Sequence, residues 1–399
     1  MKVLAISVIE LSLSDSKRGG SGLYIASLTE ALQEIGQVDV CLLDHGHSGV
    51  CNRRGKVMSF KIDPTPNLVV RQLSSWYIGA KPSVWQYSSK AFKKFLNGLT
   101  VGSYDVAVFM EENAAMFGRH LPAQMPKILV RHNLDSESIK VKKDSLKSYF
   151  STVTAKYLSR RFDRWTLKLF SKTTIGTESE KKILQSRGNP LSVSLLPTIT
   201  RFDVSEPSLS KRSVDHKSLK AAFVGDFNYR PNVEAIDWFI KCEAYLSPEI
   251  LEKLEVVLVG RSPPDIPSRC KIKFQSLGFV DDLFSVLLEC HFAIIPVVSG
   301  SGVKVKALTL LASGLPVVST SEGVQGINAK NEVDCLIADD QRSFSEAMER
   351  LAVDPGLGDY LQKNAYKLIR EGFSARRQNE ILSEIIGDAI KIHGIKRNA

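Results

Sequence analysis

Residues 296–320 constrain this chain more than any other stretch, because they join an apolar strand, a glycine loop, a helix and a second apolar strand in one run. Residues 291–298 read as a buried parallel strand, and Gly300, Ser301 and Gly302 then let the backbone turn tightly with its amides exposed. Val303, Ala307, Leu310 and Leu311 recur at helical spacing until Gly314 stops the helix, and Pro316 opens the next strand. The N-terminus of that helix points back at the glycine loop, where amide hydrogens and the macrodipole favour an anion. Lys304 and Lys306 add full charges within two turns. An ordinary strand–loop–helix with surface lysines is the competing reading; the paired lysines favour a diphosphate.

The same rhythm runs through the whole chain. Strands are expected at 3–9, 38–43, 106–110, 128–131, 173–176 and 192–196, with helices at 22–36, 84–99 and 149–170. A second series places strands at 221–225, 256–260, 272–277, 292–296, 316–319 and 335–337, and helices at 232–240, 283–290, 304–313, 343–351 and 356–368. Alternation of this kind predicts βαβ units and largely parallel sheets. At 399 residues the chain exceeds one core, and the polar stretch 201–220 reads as an interdomain linker. The expected domains are 1–203, 204–374 and a C-terminal helical segment, 375–399, packing back on the first. Two doubly wound domains facing each other across a cleft follow, with ligands beyond the carboxyl ends of the strands.

Charge narrows the partners. The net charge is +10, yet residues 1–205 hold 29 Lys and Arg against 17 Asp and Glu, so the first half carries the entire excess. It is densest over 140–172, where ten basic residues face only Asp144 and Asp163 and are interleaved with Tyr149, Phe150, Tyr157, Phe162, Trp165 and Phe170. That composition suits an anionic lipid surface or an acidic acceptor; a solvated helix face with its aromatics in the core is the alternative. No nucleic-acid reader motif accompanies it. The six cysteines and seven histidines show no metal-ligand spacing, so no metal is expected and the thiols read as reduced. Nothing resembles a transmembrane span, and residues 2–9 read as a first core strand and not a signal peptide, so a cytoplasmic location is expected, peripheral on the inner membrane face.

Seven segments, at 19–22, 131–137, 177–180, 223–233, 259–261, 278–282 and 300–323, together resemble the retaining nucleotide-sugar-dependent glycosyltransferases of GT-B fold, the group 1 or family 4 type. The resemblance implies two Rossmann-like domains, acceptor in the first and donor in the second, with metal-independent transfer and no cofactor beyond the donor. It implies catalytic roles for His132, Arg230 and Lys306, the last two neutralising a departing diphosphate. Donor contacts would come from Gly20, Gly22, Gly225, Arg261, Phe279, Val280, Gly300, Ser301, Gly302, Val303, Lys304 and Thr309. Many relatives carry glutamates where this chain has Ser301 and Thr309, and a threonine replaces a charge-assisted pair with one neutral hydrogen bond. The implied function is transfer of a hexose from a nucleoside diphosphate sugar to a hydroxyl of a lipid-linked or surface-polysaccharide acceptor. A non-catalytic homologue acting as a scaffold is the alternative. An epimerase lacks placed acid and base carboxylates beyond Glu111 and Glu112, and a dehydrogenase lacks the G-x-G-x-x-G spacing.

Overall fold

The computed structural model describes residues 1–8, 20–44, 55–64, 86–139, 145–198, 218–300 and 302–397. The chain divides into two compact units, Met1–Thr198 with Ala375–Ala399, and Ile199–Ser374.

The first unit is built on a seven-stranded sheet of order β3-β2-β1-β4-β5-β6-β7. Its strands are β1 (Lys2–Ser7), β2 (Gln37–Asp44), β3 (Val57–Lys61), β4 (Val106–Phe109), β5 (Lys127–Val130), β6 (Lys172–Ile175) and β7 (Val193–Leu195). Every pairing is parallel. β4, β5 and β6 are buried at every position, as expected of central strands covered on both faces. The edge strand β3 escaped the sequence reading: Val-Met-Ser-Phe-Lys is half-buried, short and without a sustained apolar run. Helices α1 (Gly20–Ile35), α2 (Lys90–Asn97), α3 (Leu146–Leu169) and α4 (Glu178–Gln185) flank the sheet. The C-terminal helix Ala375–Arg397 closes this unit, with Leu382, Ile385, Ile386 and Ala389 in one cluster with Ile25, Leu28 and Leu32 of α1.

The second unit has a six-stranded parallel sheet of order β10-β9-β8-β11-β12-β13. It comprises β8 (Leu219–Val224), β9 (Leu254–Val259), β10 (Lys273–Gly278), β11 (Phe292–Ile295), β12 (Val317–Ser319) and β13 (Leu336–Ile337). Helices α5 (Arg230–Ile240), α6 (Val305–Ala312), α7 (Gln341–Val353) and α8 (Pro355–Gly372) cover it. One hydrophobic cluster fills the unit, with Phe223, Val256, Ile294, Leu308, Leu311, Val318 and Phe344 all fully buried or nearly so. Burial of each such side chain contributes about 1.5–3 kcal/mol. Most of the linker predicted at 201–220 lies outside the described residues; its last residues enter β8.

Strand order fixes where chemistry belongs. Chain direction across the sheet reverses between β1 and β4 in the first unit and between β8 and β11 in the second. Ligands of doubly wound sheets sit at such reversals, beyond the carboxyl ends of the strands. The loop after β11 carries Gly300, Gly302 and Lys304, and the loop after β8 carries Gly225 and leads into Arg230 at the start of α5.

Candidate active site

At the reversal of the second sheet, two loops are locked together through glycines. Gly260 has φ 140°, and a Cβ there would lie 1.7 Å from the Gly225 carbonyl oxygen, so no side chain fits. At Gly225 a Cβ would stand 2.9 Å from the Asn232 amide nitrogen. Beyond Gly225, the Asp226 carboxylate accepts from the Asn228 backbone N–H at 3.1 Å and its side-chain amide at 3.0 Å, turning the chain into α5. Pro231 in the first turn of α5 has no amide hydrogen to leave unsatisfied. Arg261 pairs with the same carboxylate, and the Phe227 N–H donates to the Arg261 carbonyl at 3.0 Å. Partial burial pushes the Asp226 carboxyl up, but the Asn228 and Arg261 contacts outweigh it and hold the group below its usual range.

Lys306 sits at the centre of this arrangement. It lies in the first turn of α6, and its ammonium donates to Asn232 Oδ1 at 2.5 Å while standing 4.6 Å from the Phe223 ring centroid. Asn232 in turn donates to the Asp226 carbonyl at 2.7 Å, so β8, α5 and α6 converge on one cation. Both of its close contacts are uncharged. Burial, with the Lys304 charge nearby, brings the amine down to about 7. An anion placed here regains the full charge.

The other predicted donor residues occupy distinct places. Lys304 is nearly buried and tied to Glu322 at 2.6 Å, to the Gly302 carbonyl at 3.2 Å and to Gln325 at 3.2 Å. Its charge is therefore largely offset within the protein. Gly300 and Gly302 both adopt positive φ, 131° and 70°, as the loop before α6 requires. Ser301 lies outside the described residues. Val303 packs partly against the core, and Thr309 is half-buried in α6 with its carbonyl accepting the Ser313 N–H. Arg230 is 87% exposed and paired with Glu234 at 2.7 Å; the second Glu234 oxygen accepts from Ser299 at 2.7 Å. One carboxylate thus links α5 to the loop after β11. Phe279 is exposed beside the half-buried Val280, after Gly278 with φ 67°.

A cavity of about 480 Å³ opens beside Lys304, lined by Val298, Thr320, Ser321, Glu322, Gln325 and Asp339. Asn232, Thr320, Ser321 and Glu322 lie within the segments 223–233 and 300–323 singled out in the sequence, but nothing there marks them, or Val298, Gln325 and Asp339, as contacts. Position was the available signal: Val298 follows β11, residues 320–325 follow β12, and Asp339 follows β13, all at carboxyl ends.

In the first unit, Gly20 and Gly22 open α1, and His132 follows β5. The His132 ring meets Tyr24 of α1 edge-on, with centroids 4.6 Å apart at 71°. Its neighbour Arg131 is completely buried between Glu112 and Asp163, the latter at 2.6 Å. Glu180, whose N–H is capped by the Thr177 hydroxyl at the start of α4, accepts the Leu134 N–H at 2.9 Å and thereby joins two of the sequence motifs. Among the described residues, no group of three or more His, Cys, Asp or Glu side chains is placed to hold a metal ion.

Two parallel doubly wound sheets, each reversing its strand order once, give two Rossmann-like units of the GT-B type. Residues 218–354, which cover most of the second unit, match the family described as glycosyl transferases group 1. No curated protein sequence matches the chain. Among solved structures, sucrose-phosphate synthase from Thermosynechococcus elongatus is similar at 16% identity and TM-score 0.66, covering 100% of this chain and 98% of its own. WaaG, a glycosyltransferase involved in lipopolysaccharide biosynthesis, is similar at 15% identity and TM-score 0.64, covering 96% and 99%. Anabaena HepE, in complex with UDP-glucose, is similar at 13% identity and TM-score 0.61, covering 97% and 99%. At such identities the likeness establishes the fold.

Proposed function

We propose that this protein transfers a hexose from a nucleoside diphosphate sugar to a hydroxyl of a lipid-linked or surface-glycan acceptor, with retention and without a metal or other cofactor. The observation that carries the reading is Lys306, a half-buried lysine at the reversal of the second sheet whose amine desolvation brings down to about 7, held by the Asn232 side-chain oxygen and the Phe223 face. Departure of the sugar leaves negative charge on the diphosphate, and a cation already fixed in a poorly hydrated site stabilises it without reorganisation. Arg230 supplies a second, exposed charge at the start of α5, and the N-terminus of α6 a partial one. The acceptor hydroxyl attacks the same face, its proton passing to the departing phosphate oxygen, so no protein nucleophile is used. Glu322 and Asp339 of the cavity beside Lys304 provide acceptors for sugar hydroxyls, a task that Ser301 and Thr309 serve weakly. The family match over 218–354, and the UDP-glucose held by HepE, are consistent with this donor class. Free cysteines, four of them buried, fit a reducing cytoplasmic setting.

Titration with UDP-, GDP- and dTDP-sugars, combined with assays of hydrolysis and transfer, tests the proposal. Binding of one nucleotide class with turnover is expected; a folded sample that neither binds nor consumes any of them overturns it. The scaffold alternative rests on Thr309, which puts a hydroxyl in α6 where relatives place a carboxylate. Turnover by the wild type ends that alternative, whereas activity appearing only in Thr309→Glu supports it.

A further inference from the structure

The 24 residues of α3 divide into a buried side and an exposed side of unusual make-up. Leu158, Phe162, Asp163 and Thr166 face inward, with Phe162 stacked on Trp165 at 5.4 Å. The alternative that the aromatics of this basic segment lie in the core holds for Phe162 and Phe170, with Trp165 packed partly against the same cluster. Tyr149, Phe150, Val153 and Tyr157 are exposed, Phe150 at 64% and Tyr157 at 52%. One to three turns further along, Arg160, Arg161, Arg164 and Lys168 are exposed as well. At about 100° per residue these eight positions fall within an arc of about 120°. The face is therefore apolar in its first half and cationic in its second.

We infer that this face of α3 docks on an anionic lipid bilayer, the aromatic half entering the interface and the cationic half engaging headgroups. Charge complementarity selects this occupant. Among the described residues, Glu137 is an exposed carboxylate joined to the face and is shared among Lys156, Arg160 and Arg187, and Asp163 is buried on Arg131 and Arg187; over 140–172 the sequence sets ten Lys and Arg against Asp144 and Asp163 alone. A positive excess remains. A second copy seated with the two helices parallel would bring the four cations of one chain against the same four of the other, which opposes that mode of self-association. Exposed aromatics beside Lys and Arg match the boundary between headgroups and acyl chains, where amphipathic rings are half solvated. No helix among the described residues is long and apolar enough to cross a membrane, so this contact is a surface one. The inference deepens the acceptor reading by placing the enzyme where a lipid-linked acceptor is held; lipid binding is nevertheless measured without donor, so either can fail alone.

The experiment is flotation of the full chain with phosphatidylcholine vesicles containing about one-third phosphatidylglycerol, against phosphatidylcholine alone. Wild type is expected to float with the anionic vesicles and to be released by high salt. Neutralising the cationic half, Arg161→Gln with Arg164→Gln and Lys168→Gln, is expected to lower the partition coefficient about 100-fold. Removing the aromatic half, Phe150→Ser with Tyr157→Ser, is expected to lower it at least about tenfold. A control of equal charge in the second unit, Lys253→Gln with Arg342→Gln and Arg350→Gln, is expected to change it less than about twofold. Thermal melts confirm folding of each variant. Wild type that does not distinguish the two vesicle types, a control that loses as much as the α3 variant, or variants that lose self-association in sedimentation while keeping lipid binding, overturns the inference.

Discussion

Replacing Lys306 by methionine removes the ammonium at the reversal of the second sheet and keeps most of the chain's volume. In the free protein the amine falls from an ordinary 10.5 to about 7, chiefly through burial. The diphosphate of a nucleotide sugar is anionic across the neutral range, so only the protonated amine pairs with it. Below about pH 7 the site is charged before the donor arrives; above it, each binding event takes up a proton. Linkage then weakens donor affinity about tenfold per pH unit above 7, until the amine's value in the complex is reached. Loss of one partner from a desolvated charge pair costs about 2–5 kcal/mol, so Lys306→Met is expected to weaken donor binding at least about 30-fold at pH 6.5 and to flatten the pH profile. Folding stability moves the opposite way. The folded value lies below the unfolded one, so the amine opposes folding most where both states are protonated. With 1.36 kcal/mol per tenfold, an upper bound on the penalty is roughly 5 kcal/mol below pH 7, falling to about 2 kcal/mol at pH 9. The methionine variant is therefore expected to melt higher than wild type at pH 6, with the gap narrowing as pH rises. Calorimetric titration with UDP-glucose between pH 6 and 9, in two buffers of different ionisation heat, reads affinity and proton uptake together. Wild-type affinity that is flat across that range, or a variant that keeps both affinity and slope, refutes the reasoning.

Other consequences are simpler. Gly260→Ala forces a Cβ into the Gly225 carbonyl and is expected to destabilise the second unit by about 3 kcal/mol or more in urea unfolding, with donor binding lost in parallel. Asp163→Asn removes a carboxylate that holds both Arg131 and Arg187 and is expected to cost about 3–5 kcal/mol in the first unit, far more than its conservative appearance implies. Glu322→Gln releases Lys304 from its carboxylate and is expected to tighten free nucleoside diphosphate binding by roughly 0.3–1 kcal/mol while raising KM for the intact sugar nucleotide, measured by paired titrations.

The sequence was most informative where glycine and apolar spacing act together. Gly300 and Gly302 announced a turn of positive φ, and the strand–helix alternation located nearly every strand to within one or two residues, since central parallel strands are continuous apolar runs. β3 was invisible because an edge strand needs only partial burial. Lys306 stood out as a charge beside a glycine loop, but not the means by which it is held: Asn232 and Phe223 come from a strand and helix more than seventy residues earlier. Lys304 and Lys306 look alike in sequence, two positions apart on one helical start. In the fold one is offset by Glu322 and the other meets an amide oxygen and an aromatic face. Such a difference depends on long-range packing that local pattern does not carry. The cavity lined by Glu322 and Asp339 was hidden for the same reason, its walls being ordinary polar residues gathered only by the sheet.

A crystal structure with bound UDP tests the central claim most directly. The β-phosphate is expected within hydrogen-bonding distance of Lys306 Nζ, beside the turn formed by Gly300 and Gly302 at the junction of β8 and β11. UDP bound elsewhere, with Lys306 still donating to Asn232 alone, contradicts it.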